Sequence, residues 1–373
     1  MTEDVLAARE PTPAPGVEPL LSVSGLGVDF PTEDGVVHAV RHVSFDVRAG
    51  EVLGVVGESG CGKSVSAQAI MGLLPRTAAV TGSIRFRGRE LVGLSERDWQ
   101  ALRGNDIGMI FQDPMSSLNP VYTVGWQLAE AYQAHHDVSR KAAAAQAVQA
   151  LDLVGIPQPD RRAEQYPHEY SGGMRQRAMI AMAIINDPDL IIADEPTTAL
   201  DVTVQAQILD TLLRAQAETG AAIMMITHDL GVVAGIAARV QVMYGGTIVE
   251  SGPVEDIFVE PRMPYTIGLL GSVPNPELLG KPLTPIHGSP PSLLHPPPGC
   301  SFGPRCPLVE PECRDAEPEL VPAPTPRHTA RCRRWRAVTE LEQPQQMFLR
   351  PEMHHPDAEV DPLPVTIPDG GAP

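Results

Sequence analysis

The sequence predicts a mixed α/β fold, and three observations carry that prediction. Short, almost wholly apolar runs recur, EVLGVVG at residues 51–57, DLIIA at 189–193 and AAIMMIT at 221–227, as strands buried on both faces of a parallel sheet do. The first run leads through a glycine-rich turn into sequence with helical spacing, SVSAQAIMGLL at 64–74. The 39 prolines gather before about Val17, between Pro274 and Pro326, and after Pro344, so residues 20–261 read as the folded body between a tail and an irregular appendage.

Composition bounds what this body can do. With 373 residues, 43% of them hydrophobic, the chain can bury the core of one large domain plus a small one. Its 46 acidic residues against 28 basic ones give a formal net charge of -18, which argues against broad binding to a polyanion; no nucleic-acid partner is expected. Residues 1–19 and 341–373 are expected to be tails. The first carries acidic residues where a secretory signal needs basic ones, and no apolar run approaches the roughly 18 to 20 residues of a membrane span. A cytosolic chain with reduced thiols is the expectation.

Along the chain, GESGCGKS at 57–64 stands between the strand-like and helical segments. In such a loop, glycines let backbone N–H groups curl round phosphates, Lys63 reaches the terminal phosphates and the Ser64 hydroxyl ligates Mg²⁺. Cys61 fills a free position as a small loop residue. Alanine-rich sequence at 139–156 has helical spacing, and SGGM at 171–174 opens another helical pattern, RQRAMIAMAIIND. Its serine and glycines therefore lie at a helix N-terminus, which offers free N–H groups and partial positive charge. LIIA ends on Asp194 and Glu195, placing two carboxylates at the edge where open α/β sheets bind ligands; one can hold Mg²⁺ while its neighbour polarises water. AAIMMIT delivers His228 and Asp229 to the same edge. An ordinary acid-decorated helix start and a structural histidine are the bland alternatives for these two positions.

In this order the motifs resemble the ATP-binding-cassette ATPases over residues 20–261. The resemblance implies ATP as substrate, with Gly57, Glu58, Ser59, Gly60, Cys61, Gly62, Lys63, Ser64 and Val65 around the phosphates and Ser64, Gln112 and Asp194 at Mg²⁺. It makes Glu195 the general base, His228 the switch histidine, and Gln112, in IFQDP, the glutamine that joins the Mg²⁺ site to the transporter contact. YSGGMRQR at 170–177 is similar to the family signature. By that likeness Ser171, Gly172 and Gly173 serve a nucleotide held by an opposing subunit, TALD at 198–201 ends on the D-loop Asp201, and Phe30 stacks on adenine. A helical subdomain at about 113–175 is implied as well.

Two functional classes fit a cassette: an ATPase driving separate membrane subunits, and a soluble ATPase acting on ribosomes, DNA or cluster assembly. This chain has one cassette and no long coiled-coil insertion, which favours the first. Residues 262–340, with PRMPYTIGLLGSVP and GSPPSLLHPPPGCSFGPRCP, resemble the C-terminal extension of bacterial oligopeptide and dipeptide importer ATPases, and SGGMRQR resembles that branch too. The implied partners are a second, paralogous ATPase, two transmembrane permeases and an extracytoplasmic peptide-binding protein, with this chain on the cytoplasmic membrane face. Met263 stands where the branch commonly has histidine, so nickel or another small solute stays open as substrate. Cys300, Cys306, Cys313 and Cys332 follow C-x5-C-x6-C-x18-C in a segment too proline-rich to form a core. Structural zinc uses ligand pairs about two to four residues apart, whereas an iron–sulfur cube suits four spread thiolates. The resemblance implies a [4Fe-4S] cluster there, with Zn²⁺ as the alternative and Arg305, Arg331, Arg333 and Arg334 offsetting its charge.

Overall fold

The computed structural model describes residues 18–113, 117–197, 201–272, 285–341 and 344–348. Most of the two expected tails, and residues 198–200 of TALD, lie outside these. Two long antiparallel strands, β1 (Leu21–Thr32) and β2 (Gly35–Val47), precede the buried β3 (Val52–Val56) and helix α1 (Lys63–Ile70). Next come β4 (Ala79–Phe86), β5 (Arg89–Glu90), α2 (Glu96–Leu102) and β6 (Ile107–Ile110). Four helices follow, α3 (Val124–Gln133), α4 (Arg140–Leu153), α5 (Pro159–Ala163) and α6 (Gly172–Ile184). The chain then alternates through β7 (Leu190–Asp194), α7 (Val202–Thr219), β8 (Ala222–Thr227), α8 (Leu230–Ile236) and β9 (Arg239–Tyr244). It continues as β10 (Thr247–Pro253), α9 (Val254–Val259) and α10 (Pro264–Gly271), and the C-terminal segment adds the short β11 (Val321–Pro322) and β12 (Thr329–Ala330).

The larger sheet runs β11-β12-β10-β9-β3-β8-β7-β6, and from β9 to β6 its neighbours are parallel. Every residue of β3, β7 and β8 is buried because both faces are covered. Alternate side chains divide the core between the faces. Val56, Ala193, Ile223 and Met225 pack toward the helices α6 and α7, whereas Val55, Ile192, Met224 and Ile226 pack toward α1 and the antiparallel sheet β2-β1-β4-β5.

The helical part follows from its spacing and caps. Ala143, Ala147, Ala150 and Leu151 form the buried stripe of α4, and the Ser139 hydroxyl accepts the Ala142 N–H at its start. The C-terminal segment is the mostly irregular appendage its prolines suggest, with two short strands that tie it to the body. Glu250 and Ser251 of β10 pair with Ala330 and Thr329 of β12, so the segment extends the main sheet. Its proline, Pro322, sits in the edge strand β11, where a missing donor harms least. Among the described residues, no helix is long and apolar enough to cross a membrane.

Candidate nucleotide site

The loop between β3 and α1 is shaped by glycines that no other residue replaces without strain. Gly57, Gly60 and Gly62 have φ of 152°, 79° and 103°, and a Cβ at Gly62 would stand 2.6 Å from the Ala39 carbonyl oxygen. Lys63 is buried, its ammonium donating to the carbonyls of Gly57 at 2.8 Å and Glu58 at 3.0 Å. Cys61 is a buried small residue of the loop, and desolvation pushes its thiol up.

At the far side of the loop the Ser64 hydroxyl donates to Asp194 Oδ1 at 2.9 Å. Asp194 ends β7 and is 6% exposed, so burial raises its carboxyl above the usual range while the Ser64 hydrogen bond pulls the other way. Glu195 follows with φ of 49°, a left-handed conformation unusual for a side chain of its size, and its N–H is held by the Ile226 carbonyl of β8. Gln112 Nε2 donates to Glu195 Oε2 at 3.1 Å, and His228 Nδ1 stands 3.3 Å from Oε1. Held strain of this kind gathers at functional sites.

Ser59, Gly60, Gly62, Lys63, Ser64, Val65, Gln112, Glu195 and His228 line one open cavity of about 520 Å³ with Ala39 of β2, which sequence reading missed for want of any local signal. Asp194 stands behind it through Ser64. Among the remaining expected site residues, Gly57, buried directly after β3, and half-buried Glu58 begin the loop. Phe30 is partly buried in β1 against the antiparallel side of the core. Ser171 caps α6, its hydroxyl accepting the Met174 N–H at 3.3 Å, and Ser171 and Gly172 are exposed while Gly173 is half-buried. Asp201 caps α7, accepting from Thr203 and Val204 at 3.1 and 3.0 Å. Phe30, Ser171, Gly172, Gly173 and Asp201 do not line the cavity.

The four C-terminal cysteines give a different result from the one their spacing suggests. All are free, and they line one cavity. Among the described residues, no group of three or more His, Cys, Asp or Glu is placed to hold a metal ion. The expected [4Fe-4S] cluster, and zinc as its alternative, are therefore corrected: the four cysteines are free, partly buried thiols that form no metal-holding group among the described residues. Desolvation pushes all four up, Cys332 to about 12. What holds the segment is backbone bonding and aromatic packing. The Cys300 N–H donates to the Cys313 carbonyl at 2.7 Å, and Phe302, fully buried, meets Tyr244 and Tyr265 with ring centroids 5.4 Å away. The arginines have other partners too: Arg305 pairs with Glu58, Arg334 with Glu310, and Arg331 donates to the Ile248 and Pro318 carbonyls.

A phosphate-type loop, a buried parallel sheet and paired carboxylates at its edge, with a helical subdomain beside them, define the class of ATP-binding-cassette subunits. The family model described as ABC transporter matches residues 40–198, and that described as oligopeptide/dipeptide transporter, C-terminal region, matches residues 249–313. The chain is 57% identical over 325 residues to the oligopeptide transport ATP-binding protein OppD of Mycobacterium bovis, an alignment covering 87% of this chain and 53% of that one. It thus spans about half the length of that relative. To the dipeptide transport ATP-binding protein DppD of Bacillus subtilis it is 57% identical over 293 residues, 78% of this chain and 88% of that one. Among solved structures, cbiO1 of Clostridium perfringens, part of an ABC transporter complex, superposes with a TM-score of 0.56 at 27% identity, covering 65% of this chain and 92% of that one. The chain belongs to the family of ATP-binding subunits of oligopeptide and dipeptide ABC transporters.

Proposed function

We propose that the chain hydrolyses ATP and, from the cytoplasmic face of the membrane, powers import of oligopeptides or dipeptides. The observation that carries the catalytic part is Glu195, turned by its left-handed backbone onto the cavity between Gln112 and His228. The backbone of residues 57–65 cradles the phosphates, and Lys63 exchanges its two carbonyl partners for phosphate oxygens. Ser64, Asp194 and Gln112 are the groups that would hold Mg²⁺, whose chemistry is to neutralise charge on the phosphoryl oxygens. Glu195 accepts the proton of the attacking water, Gln112 holding one carboxylate oxygen and His228 facing the other. Phe30 offers a ring to adenine. Ser171, Gly172 and Gly173 lie away from the cavity at an exposed helix start, so they serve nucleotide on an opposing ATPase subunit, with Asp201 at the contact between the two.

The relatives' names supply the transport part, as does the C-terminal match. The partners are then a second ATPase subunit, two permeases and an extracytoplasmic peptide-binding protein. The test is reconstitution. The purified chain with Mg-ATP should release phosphate, and vesicles holding the permeases, both ATPases and a peptide-loaded binding protein should accumulate peptide. No phosphate release in either setting overturns the ATPase reading; hydrolysis without peptide uptake overturns the substrate.

A further inference from the structure

Glu58, at the start of the phosphate loop, is held at three of its groups. Its carbonyl oxygen accepts from the Lys63 ammonium at 3.0 Å and from the Cys61 N–H at 3.3 Å, which are contacts within the loop. Its N–H donates to the Tyr265 hydroxyl at 2.8 Å, and its carboxylate accepts from Arg305 Nη1 at 2.8 Å. Both of these outside partners belong to the segment after the cassette: Tyr265 on α10, and Arg305 in the turn between Cys300 and Cys306.

Arg305 is itself fixed. It is 8% exposed, donates to the carbonyls of Ile286 and His287 at 3.2 and 3.0 Å and to the Tyr244 hydroxyl at 3.2 Å, and lies 5.8 Å from the Tyr244 ring centroid. A planar guanidinium tied at all three nitrogens cannot follow a moving carboxylate without breaking other bonds. Tyr265, fully buried against Tyr244 and Phe302, is as firmly placed.

We propose that the C-terminal extension is a positioning element of the nucleotide site, Arg305 and Tyr265 acting through Glu58 to set the turn from which Lys63 and the loop amides approach phosphate. This rests on the ATP-site reading above and adds to it a control of nucleotide affinity from outside the cassette. Reciprocity is the consequence. If the extension's placement favours the nucleotide-ready loop, bound nucleotide must favour that placement by the same factor.

The experiment uses the full chain in five forms: wild type, Glu58→Gln, Arg305→Met, the Glu58→Gln/Arg305→Met double variant and Arg305→Lys. Equilibrium binding of ADP and of Mg-ATP is measured with the KM and kcat of hydrolysis. Each single variant should raise Kd and KM by about fivefold, the lower end of ordinary coupling between sites, with kcat little changed. The double variant should be no worse than the worse single one, because Glu58→Gln weakens the link to a neutral hydrogen bond and Arg305→Met removes that same link. Arg305→Lys, which keeps the charge near Glu58, should recover part of the loss. If Arg305→Met does not fold, Glu58→Gln alone decides, since it leaves every core contact of Arg305 in place. Nucleotide affinity within twofold of wild type in Glu58→Gln overturns the proposal, as do additive losses in the double variant. A wild-type chain that binds no nucleotide overturns the ATPase reading and this proposal together, whereas normal wild-type binding with an indifferent Glu58→Gln overturns this proposal alone.

Discussion

Glu195→Gln separates binding from chemistry, and the structure fixes what it leaves intact. The glutamine oxygen still accepts the Gln112 Nε2 hydrogen bond now made at 3.1 Å. Its amide nitrogen faces His228 Nδ1, 3.3 Å from the present carboxylate, which can accept when the ring carries its proton on Nε2. Shape, packing and the left-handed backbone are preserved, so the loss is confined to the proton acceptor. Removing a general base lowers turnover by about 10²- to 10⁴-fold, or about 2.7 to 5.4 kcal/mol of barrier. Nucleotide affinity should not fall, because the loop contacts lie elsewhere and one negative charge has left the neighbourhood of an anionic ligand. The assay is phosphate release by the assembled complex at saturating Mg-ATP, beside equilibrium binding of Mg-ATP to the same variant. A kcat within about threefold of wild type would refute the role of Glu195, that being far below the base term.

Asp194→Asn should stabilise the nucleotide-free chain at neutral pH while abolishing Mg²⁺-dependent binding. Burial raises this acid's folded-state pKa, so its neutral form's stability is fully present below the unfolded pKa of about 3.9 and lost as pH rises through the higher folded value. Melting curves should show the variant without that decline, and a Tm at pH 7 below wild type would contradict it. Ser171→Arg should leave the Tm within a few degrees, because an N-cap contributes about 1 kcal/mol, yet remove ATP hydrolysis by the assembled complex; unchanged hydrolysis would exclude Ser171 from an opposing site. Gly62→Ala should abolish nucleotide binding, since the new methyl meets the Ala39 carbonyl at 2.6 Å and φ is 103°; calorimetry with ADP reads this directly, and retained affinity would show a loop freer than this geometry.

The parallel sheet and the phosphate loop were legible because their signals are local. An apolar run such as LIIA can be buried on both faces only as an interior strand, and three glycines with φ of 79° or more occupy positions of the loop that GESGCGKS reserves for them. What sequence does not display is a contact between distant residues. Glu58 and Arg305 are 247 positions apart, and no period or motif joins them, so Arg305 read as a counter-charge to the neighbouring cysteines. The cysteines show the same limit from the other side. Their number and spacing suggest a ligand set, but spacing does not say how the thiols are placed, and among the described residues no group of three or more of them is placed to hold a metal ion. Proline content marked the mostly irregular extension but not its two short strands, since Pro322 is admissible at a sheet edge, where β11 pairs with β12.

The composition change near residue 261 is therefore not where the structural unit ends. Three consecutive residues of β10 depend on the chain beyond it. The Ile248 carbonyl accepts from Arg331 Nε at 2.9 Å, the Val249 carbonyl from the Arg331 N–H at 2.7 Å, and the Glu250 carboxylate from His328 Nε2 at 2.8 Å and the Met263 N–H at 3.2 Å. Glu250 is fully buried and also accepts the Arg262 N–H. A buried carboxylate stripped of its donors costs several kcal/mol, so a chain lacking the extension would leave the β10 edge bare and Glu250 uncompensated. The sheet that presents Asp194 and the extension that grips Glu58 thus share one set of buried bonds. Because Glu250 anchors Met263, the residue immediately before α10, the same strand that needs the extension for its stability also fixes where Tyr265 meets the phosphate loop.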